Sequence, residues 1–553
     1  MFNILLGLIV IAAAILIFRN YFSKSEIIPN YGGQYTEGII GQPRYINPVL
    51  AQTNDADRDI VQPIFSGLLK YDGKGNLIED LAESYSIDQS GLIYDFKLKN
   101  DIYWHDGEKL TADDIVFTIQ TIQDPEYKSP VRGNWQGVTV EKVDDSNVRF
   151  TLRNIYAPFL HNTVIGIIPK HIWQGISAQN FPLAEYNQAP IGSGPYRFKE
   201  LKKNGSGKIE KINLIWNENY FGASNHRVNS QKKPFIQKIN FIFYDNEAAA
   251  IEAYDKGSID GLSRISVSSL AEFQKKNIDI YKIKQPRYYA VFFNQTKSKA
   301  LSDKIVRQAL NYATDKQKMV ADILLGEANA VNSPLLEGSL GYTAEITTYD
   351  YSLDKAKDLL EQNSWKDADN DNIREKKIGS EIVKLEFTIV TVNQPQLVAT
   401  IQQIKQDWES IGAKIDIQIV DPTAIQQDFI KPREYQALLF GEIYGADPDP
   451  FSFWHSSLKK DPGLNLALYN NKKTDKLLEE ARQSLDQNIR AEKYKEFQKI
   501  VSDEAPAVFL YSPNFLYPMA KKIKGINIEM LALPSYRFSQ IESWYIKTSR
   551  VEK

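Results

Sequence analysis

Two clusters of acids and five histidines are the residues whose types and spacing could do chemistry in this 553-residue chain. Asp367, Asp369 and Asp371 have the D-x-D-x-D spacing of a calcium loop, in which carboxylates converge on a hard cation. The match breaks twice. Asn372 stands where the loop needs its turn glycine, and Ile378 where it needs a closing bidentate glutamate, so no metal is expected. Asp447 and Asp449 lie in a turn-rich stretch with aromatics, Tyr444-Gly445-Ala446-Asp447-Pro448-Asp449-Pro450-Phe451-Ser452-Phe453-Trp454-His455. Two readings of it stay open: a solvated loop over a packed Phe and Trp, or a carboxylate presented to a cleft. In a cleft that closes, a carboxylate is poorly screened and can anchor an ammonium.

The other candidates are weaker. His105, His161, His171, His226 and His455 form no HExxH or paired metal motif and are read as structural. No G-x-S-x-G elbow is present. The absence of cysteine excludes disulfides, Cys-zinc sites, thiol catalysis and lipid attachment through an N-terminal Cys. Gly192-Ser193-Gly194 and Asn204-Gly205-Ser206-Gly207-Lys208 miss the P-loop spacing, Ile209 standing where a Ser or Thr should reach magnesium. With 69 acids, paired carboxylates carry no signal. No enzyme activity and no cofactor are expected.

The elements that must position these residues follow from periodicity. Tyr94, Phe96 and Leu98 alternate as a half-buried strand, and Asp106-Gly107 is turn chemistry. Thr111 is set as an N-cap with Asp114 three residues on, and Ile115, Ile119 and Ile122 make a helical stripe that Asp124-Pro125 ends. Leu385, Phe387 and Ile389 predict a strand. Leu397, Ile401, Ile404, Trp408 and Ile411 predict a helix closed by Gly412, and Ile415, Ile417 and Ile419 a second strand. That is a βαβ unit, so a parallel pair is expected and the region is α/β. Tyr494, Phe497, Ile500 and Val501 mark an inward face on a later helix, and residues 288–294 a strongly apolar strand.

Length requires two or three lobes. Hydrophobic content of 43% and charged content of 24% are those of an ordinary globular protein, and a net charge of −3 makes no case for nucleic acid. Thirty tyrosines and 26 phenylalanines suit an adaptable cleft. There is no internal repeat.

Four stretches carry a resemblance: Ile64-Phe65-Ser66-Gly67-Leu68-Leu69-Lys70-Tyr71-Asp72, the run from Trp104-His105-Asp106-Gly107 through Thr118, Gly192-Ser193-Gly194-Pro195-Tyr196-Arg197-Phe198, and Val306-Arg307-Gln308-Ala309-Leu310-Asn311-Tyr312-Ala313-Thr314-Asp315. In this order they resemble the solute-binding proteins of peptide-type ABC importers, the oligopeptide- and dipeptide-binding family. The resemblance implies an α/β, two-lobed periplasmic-binding-protein-like fold, class II and of the large type with an extra domain. Lobe I would comprise residues 33–68, 189–295 and 513–553, the extra domain II 69–188, and lobe III 296–512. It implies a monomer that binds peptide by hinge closure and delivers it to permease subunits. Relatives also carry nickel chelates, haem or oligosaccharides, and a sensory receptor on the same fold is the alternative. By resemblance Asp447, with Asp449 as fallback, would meet the ligand's α-ammonium. Tyr444 would line the cleft with Tyr289, and Thr53 and Asn54 would lie on a strand edge of the opposite lobe. Residues 104–118 would be scaffold.

Residues 4–18 are apolar apart from Gly7. As a helix they span roughly 22 Å, which Phe2, Tyr21 and Phe22 extend toward membrane thickness. The reading is one uncleaved transmembrane anchor followed by a short polar linker at 23–33. Arg19 and Lys24 oppose an outward body by the positive-inside rule, but long domains translocate regardless. The expected place is the cell membrane, with the body on the extracytoplasmic face.

Overall fold

The computed structural model describes residues 7, 11, 25–222, 233–274 and 278–552. Among these no helix is long and apolar enough to cross a membrane, and the anchor expected at 4–18 lies, but for Gly7 and Ile11, outside the described residues. His226 lies outside them as well.

Three sheets organise the described chain. A seven-stranded sheet runs in the order Ile278–Ile283, Phe515–Ala520, Gly261–Leu262, Gln34–Ile40, Lys238–Tyr244, Ile209–Trp216, Tyr196–Lys203. It is thus gathered from three separate stretches of sequence. A four-stranded antiparallel sheet is built from Ala82–Ile87, Ile93–Leu98, Asn147–Leu152 and Val138–Asp144. Tyr94, Phe96 and Leu98 are its buried face. A six-stranded sheet runs Ala328–Ala330, Ala507–Pro513, Arg287–Phe293, Ala437–Ile443, Glu386–Val392, Lys414–Val420.

The expected βαβ unit is in the six-stranded sheet. Glu386–Val392 pairs in parallel with Lys414–Val420, Ile389 opposite Ile417, and the helix Pro395–Glu409 connects them. Leu397, Ile401, Ile404 and Trp408 are buried, so the apolar stripe packs onto the sheet it connects. Gly412 follows the helix at φ +88°, the left-handed conformation that favours glycine, and turns the chain into the second strand. The strand carrying Tyr289, Arg287–Phe293, belongs to this sheet, so the chain leaves the seven-stranded sheet before Arg287, ahead of the 295/296 boundary drawn from sequence.

Among the described residues the chain passes between these two sheets at two places. Lys284-Gln285-Pro286 joins Ile283 to Arg287, and Asn514 joins Pro513 to Phe515. The crossings lie side by side, because Ile283 pairs with Phe515 on one side and Tyr289 with Tyr511 on the other. Two short neighbouring segments between two large bodies are the geometry of a hinge.

Three of the four motif-bearing stretches meet in the first body; the fourth, 306–315, lies in the second, on the helix Lys304–Tyr312. The turn at Asp106-Gly107 is closed by Trp104 N–H to Glu108 O at 2.8 Å with Gly107 at φ +96°, and the Asp114 carboxylate accepts the Thr111 N–H at 2.9 Å ahead of the helix Ala112–Gln123. His105 accepts the Gly192 N–H at Nδ1 (3.2 Å) and donates from Nε2 to Gly194 O (3.0 Å), a neutral ring whose pKa burial depresses to about 4. A Cβ at Gly192 would overlap the Ile64 carbonyl, which explains glycine there. Residues 64–72, 104–118 and 192–198 are therefore one scaffold junction. The expected linker at 23–33 differs from the structure: Ser25–Asn30 is a strand, paired antiparallel with Lys547–Glu552.

Candidate functional site: the loop between the bodies

The strand Ala437–Ile443 ends in the acidic loop, and the loop faces the first body. Two arginines fasten it. Arg490 donates from Nη2 to Asp447 Oδ1 at 2.6 Å, and Arg482 donates from Nε to Asp449 Oδ2 at 3.0 Å. Arg490 belongs to the helix Gln487–Glu504 and Arg482 closes the helix Lys472–Arg482, so the loop is tied to two helices at once. The Asp447 and Arg490 side chains are only 9% and 5% exposed. Burial alone would lower the Arg490 pKa; the Asp447 carboxylate outweighs it and holds the guanidinium above its ordinary range. Asp449 is pushed up by burial, with Arg482 pulling the other way. Arg482 also lies over the Phe451 ring at 3.9 Å and the Tyr156 ring at 5.2 Å, cation–π contacts that replace its lost hydration.

The opposite wall comes from the first body. His161 Nε2 stands 3.9 Å from Asp447 Oδ2, and its Nδ1 is 2.9 Å from the Tyr71 hydroxyl. Tyr71 stacks on His161 at 5.8 Å and packs against Tyr536 at 4.9 Å. Burial depresses the His161 pKa, Asp447 opposing and Arg490 reinforcing the shift. Burial raises the Tyr71 and Tyr156 hydroxyls, which stay protonated, and that of Tyr71 lies 2.9 Å from His161 Nδ1. An aromatic wall of the first body thus meets a charge-balanced wall of the second, His161 Nε2 lying 3.9 Å from Asp447 and the Tyr156 ring 5.2 Å from Arg482.

The expected site residues come out unevenly. Asp447 and Asp449 are together at the gap, but neither is a free carboxylate: each is committed to an arginine. Tyr444 is 3% exposed; its hydroxyl accepts from Trp454 Nε1 at 3.2 Å and its ring packs on Phe453. It supports the loop from beneath and does not line a cleft. Tyr289 is half-buried, its ring against Tyr511 at 5.5 Å and close over Gly441. Thr53 and Asn54 are not on a strand edge. Thr53 ends the short turn Ala51–Thr53, and Asn54 caps the helix Asp55–Ile64, accepting from Ala56 N–H at 2.9 Å. Both line a surface cavity of about 380 Å³ with Arg44 and Tyr45. Asp367, Asp369, Asp371 and Glu375 hold carboxylate oxygens within 4.8 Å of one another, and the Lys384 ammonium pairs with Asp369 and Asp371 in that cluster.

Arg490 was absent from the expected site, yet a signal existed. It lies four residues before Tyr494 on the inward stripe, and an inward arginine requires a carboxylate partner. His161, Tyr71 and Tyr156 had no such signal; the fold brings them to the loop from far away in sequence.

Residues 76–465 match the family described as bacterial extracellular solute-binding proteins, family 5. The chain belongs to this family. It is 30% identical over 531 residues to the oligopeptide-binding protein AppA of Bacillus subtilis, covering 95% of this chain and 93% of that protein. The solved structure of that AppA in complex with a nonapeptide superposes with a TM-score of 0.72 at 29% identity, covering 94% of this chain and 100% of the other. The structure of NikZ from Campylobacter jejuni in complex with Ni(L-His) superposes with a TM-score of 0.74 at 29% identity, covering 93% and 99%. The chain thus has the two-lobed, mixed α/β fold of periplasmic binding proteins. The signature at 104–118 read correctly as this family, and its residues are scaffold.

Proposed function

We propose that the chain is the extracytoplasmic peptide-binding component of an ABC importer, enclosing its ligand between the two bodies and presenting the closed form to permease subunits. The observation that carries this reading is the pair of adjacent crossings at 284–286 and Asn514, with an aromatic wall of one body meeting a charged wall of the other. Likeness to the AppA–nonapeptide structure over nearly the whole chain supports peptide as the solute. The division that follows is lobe I from 33–68, 189–286 and 514–553, an extra domain at 69–188, and lobe III from 287–513, the large class II arrangement. The body acts as a monomer tethered by a helix at 4–18.

Asp447 takes a different part from the one its family position implies. Its Oδ1 is paired with Arg490 and its Oδ2 stands 3.9 Å from His161 Nε2, so an ammonium would meet a carboxylate already neutralised by a buried guanidinium. We assign Asp447 and Asp449 to holding the loop, and binding to the surface that the loop and the Tyr71–His161 wall enclose. A metal chelate is the second reading, supported by the NikZ likeness. Thermal-shift measurements with a random peptide library test the first: stabilisation by peptides is expected. A well-folded protein stabilised by nickel–histidine and by no peptide would replace it with the second.

A further inference from the structure

Behind the aromatic wall, at the junction of residues 65–71 with the C-terminal tail, is a cavity of about 20 Å³. Its lining includes Lys70, Tyr71, Asp80, Tyr536, Ser539 and Glu542. Three of these carry a buried oxygen with no hydrogen-bond partner in the protein: Asp80 Oδ1, Ser539 Oγ and Glu542 Oε2. Asp80 and Ser539 are 5% and 6% exposed. Lys70 donates to the other Glu542 oxygen at 2.7 Å and stands 3.8 Å from Asp80 Oδ1, too far for a hydrogen bond. Buried oxygens left unpaired cost about 1–3 kcal/mol each, and natural proteins satisfy them with protein or with ordered water.

We infer that this cavity is a binding site for one structural water, which bridges Asp80, Ser539 and Glu542. The size fits, since a cavity needs roughly 10–15 Å³ of such volume to hold one water. The donor count fits as well. A water has two O–H groups for the two unpaired carboxylate oxygens and a lone pair for the Ser539 hydroxyl proton. A monovalent cation fits less well, because the Lys70 ammonium already supplies positive charge beside the same oxygens and would repel a second. The site has a consequence for the wall. Tyr536 lines the cavity and packs on Tyr71, so the bridge fastens the C-terminal tail at 536–542 to the segment that carries Tyr71.

Crystallography of the full chain at about 1.6 Å or better tests this, with a parallel soak in rubidium chloride. The expected result is one isolated density peak within hydrogen-bond distance of Asp80 Oδ1, Ser539 Oγ and Glu542 Oε2, with no anomalous signal after the soak. In the Ser539→Ala variant the peak should remain on the two carboxylates with lower occupancy. An empty cavity, or the three oxygens found paired directly with protein groups, would overturn the proposal; a rubidium peak at the site would replace water with a cation.

Discussion

Two of the arginine–carboxylate clusters in this molecule differ in how deeply they are buried, and the contrast shows what burial decides. In the first body Arg537 donates to Asp59 through both Nη atoms (2.7 and 2.6 Å) and to Glu37 at 2.9 Å. Arg537 and Glu37 are wholly buried, and Tyr517 adds a hydroxyl to Glu37 at 3.2 Å. This triad ties a central strand, the helix Asp55–Ile64 and the C-terminal tail together, with no route to a ligand. At the gap, Asp447–Arg490 and Asp449–Arg482 are simple pairs, each carboxylate with one cation, and they face a histidine and tyrosines of the other body. The triad holds two acids on one cation and staples a core. The pairs are charge-balanced and shape a surface.

Removing Arg537 should therefore have the largest effect. Arg537→Met leaves two buried carboxylates without a cation and should cost at least about 3–5 kcal/mol in urea unfolding. A loss under about 1 kcal/mol would mean that the triad is no staple. Asp447→Asn comes next. The amide keeps an acceptor for Arg490 but loses the charge assistance, so about 1.5–3 kcal/mol is expected. Calorimetric titration should then show free-amine and N-acetylated peptides losing affinity alike. Selective loss of the free-amine ligand would restore Asp447 as an ammonium anchor.

The two regions should also answer pH with opposite signs. Burial, opposed by Arg537, raises the Glu37 pKa from 4.5 to about 7. Between those values the folded state binds more protons than the unfolded, so this group makes stability fall as pH rises from about 4.5 to about 7. His161 is shifted downward from 6.5, so below that value the unfolded state binds more protons and stability falls on acidification. In unfolding curves across this range, Glu37→Gln should reduce the first slope, to which Asp57 also contributes, and His161→Asn the second, to which His105 also contributes. If either variant keeps the wild-type slope, that group is not its source. The smallest effect belongs to Asn54→Ala, about 0.5–2 kcal/mol as a lost helix cap. Asn54→Asp should recover most of it, whereas a residue gripping ligand would not tolerate the exchange in a binding assay.

The sequence made some of this legible and not the rest, for physical reasons. Local periodicity exposed the βαβ unit at 386–420 and the capped helix at 112–123, because a stripe on a helix and alternation on a strand are written within a few residues. The acidic loop was visible as a candidate, but its charge state was not. Asp447 looks available until Arg490, 43 residues away, is placed against it. Thr53 and Asn54 were expected on a strand edge, where Asn54 followed by Asp55 and Asp57 fits a helix start as well. The strand pair of 25–30 with 547–552 joins opposite ends of the chain, and no local pattern announces such a partner.

The central claim is closure of two bodies about the crossings at 284–286 and Asn514. The chain has no cysteine, so engineered thiols are the only labelling sites. Exposed Ser90 on the first body and exposed Gln483 on the second can be replaced by cysteine and spin-labelled. Pulsed electron spin resonance should show a broad distance distribution without ligand that shortens and narrows when a stabilising peptide is added. A distribution unchanged by a peptide that raises Tm would contradict hinge closure.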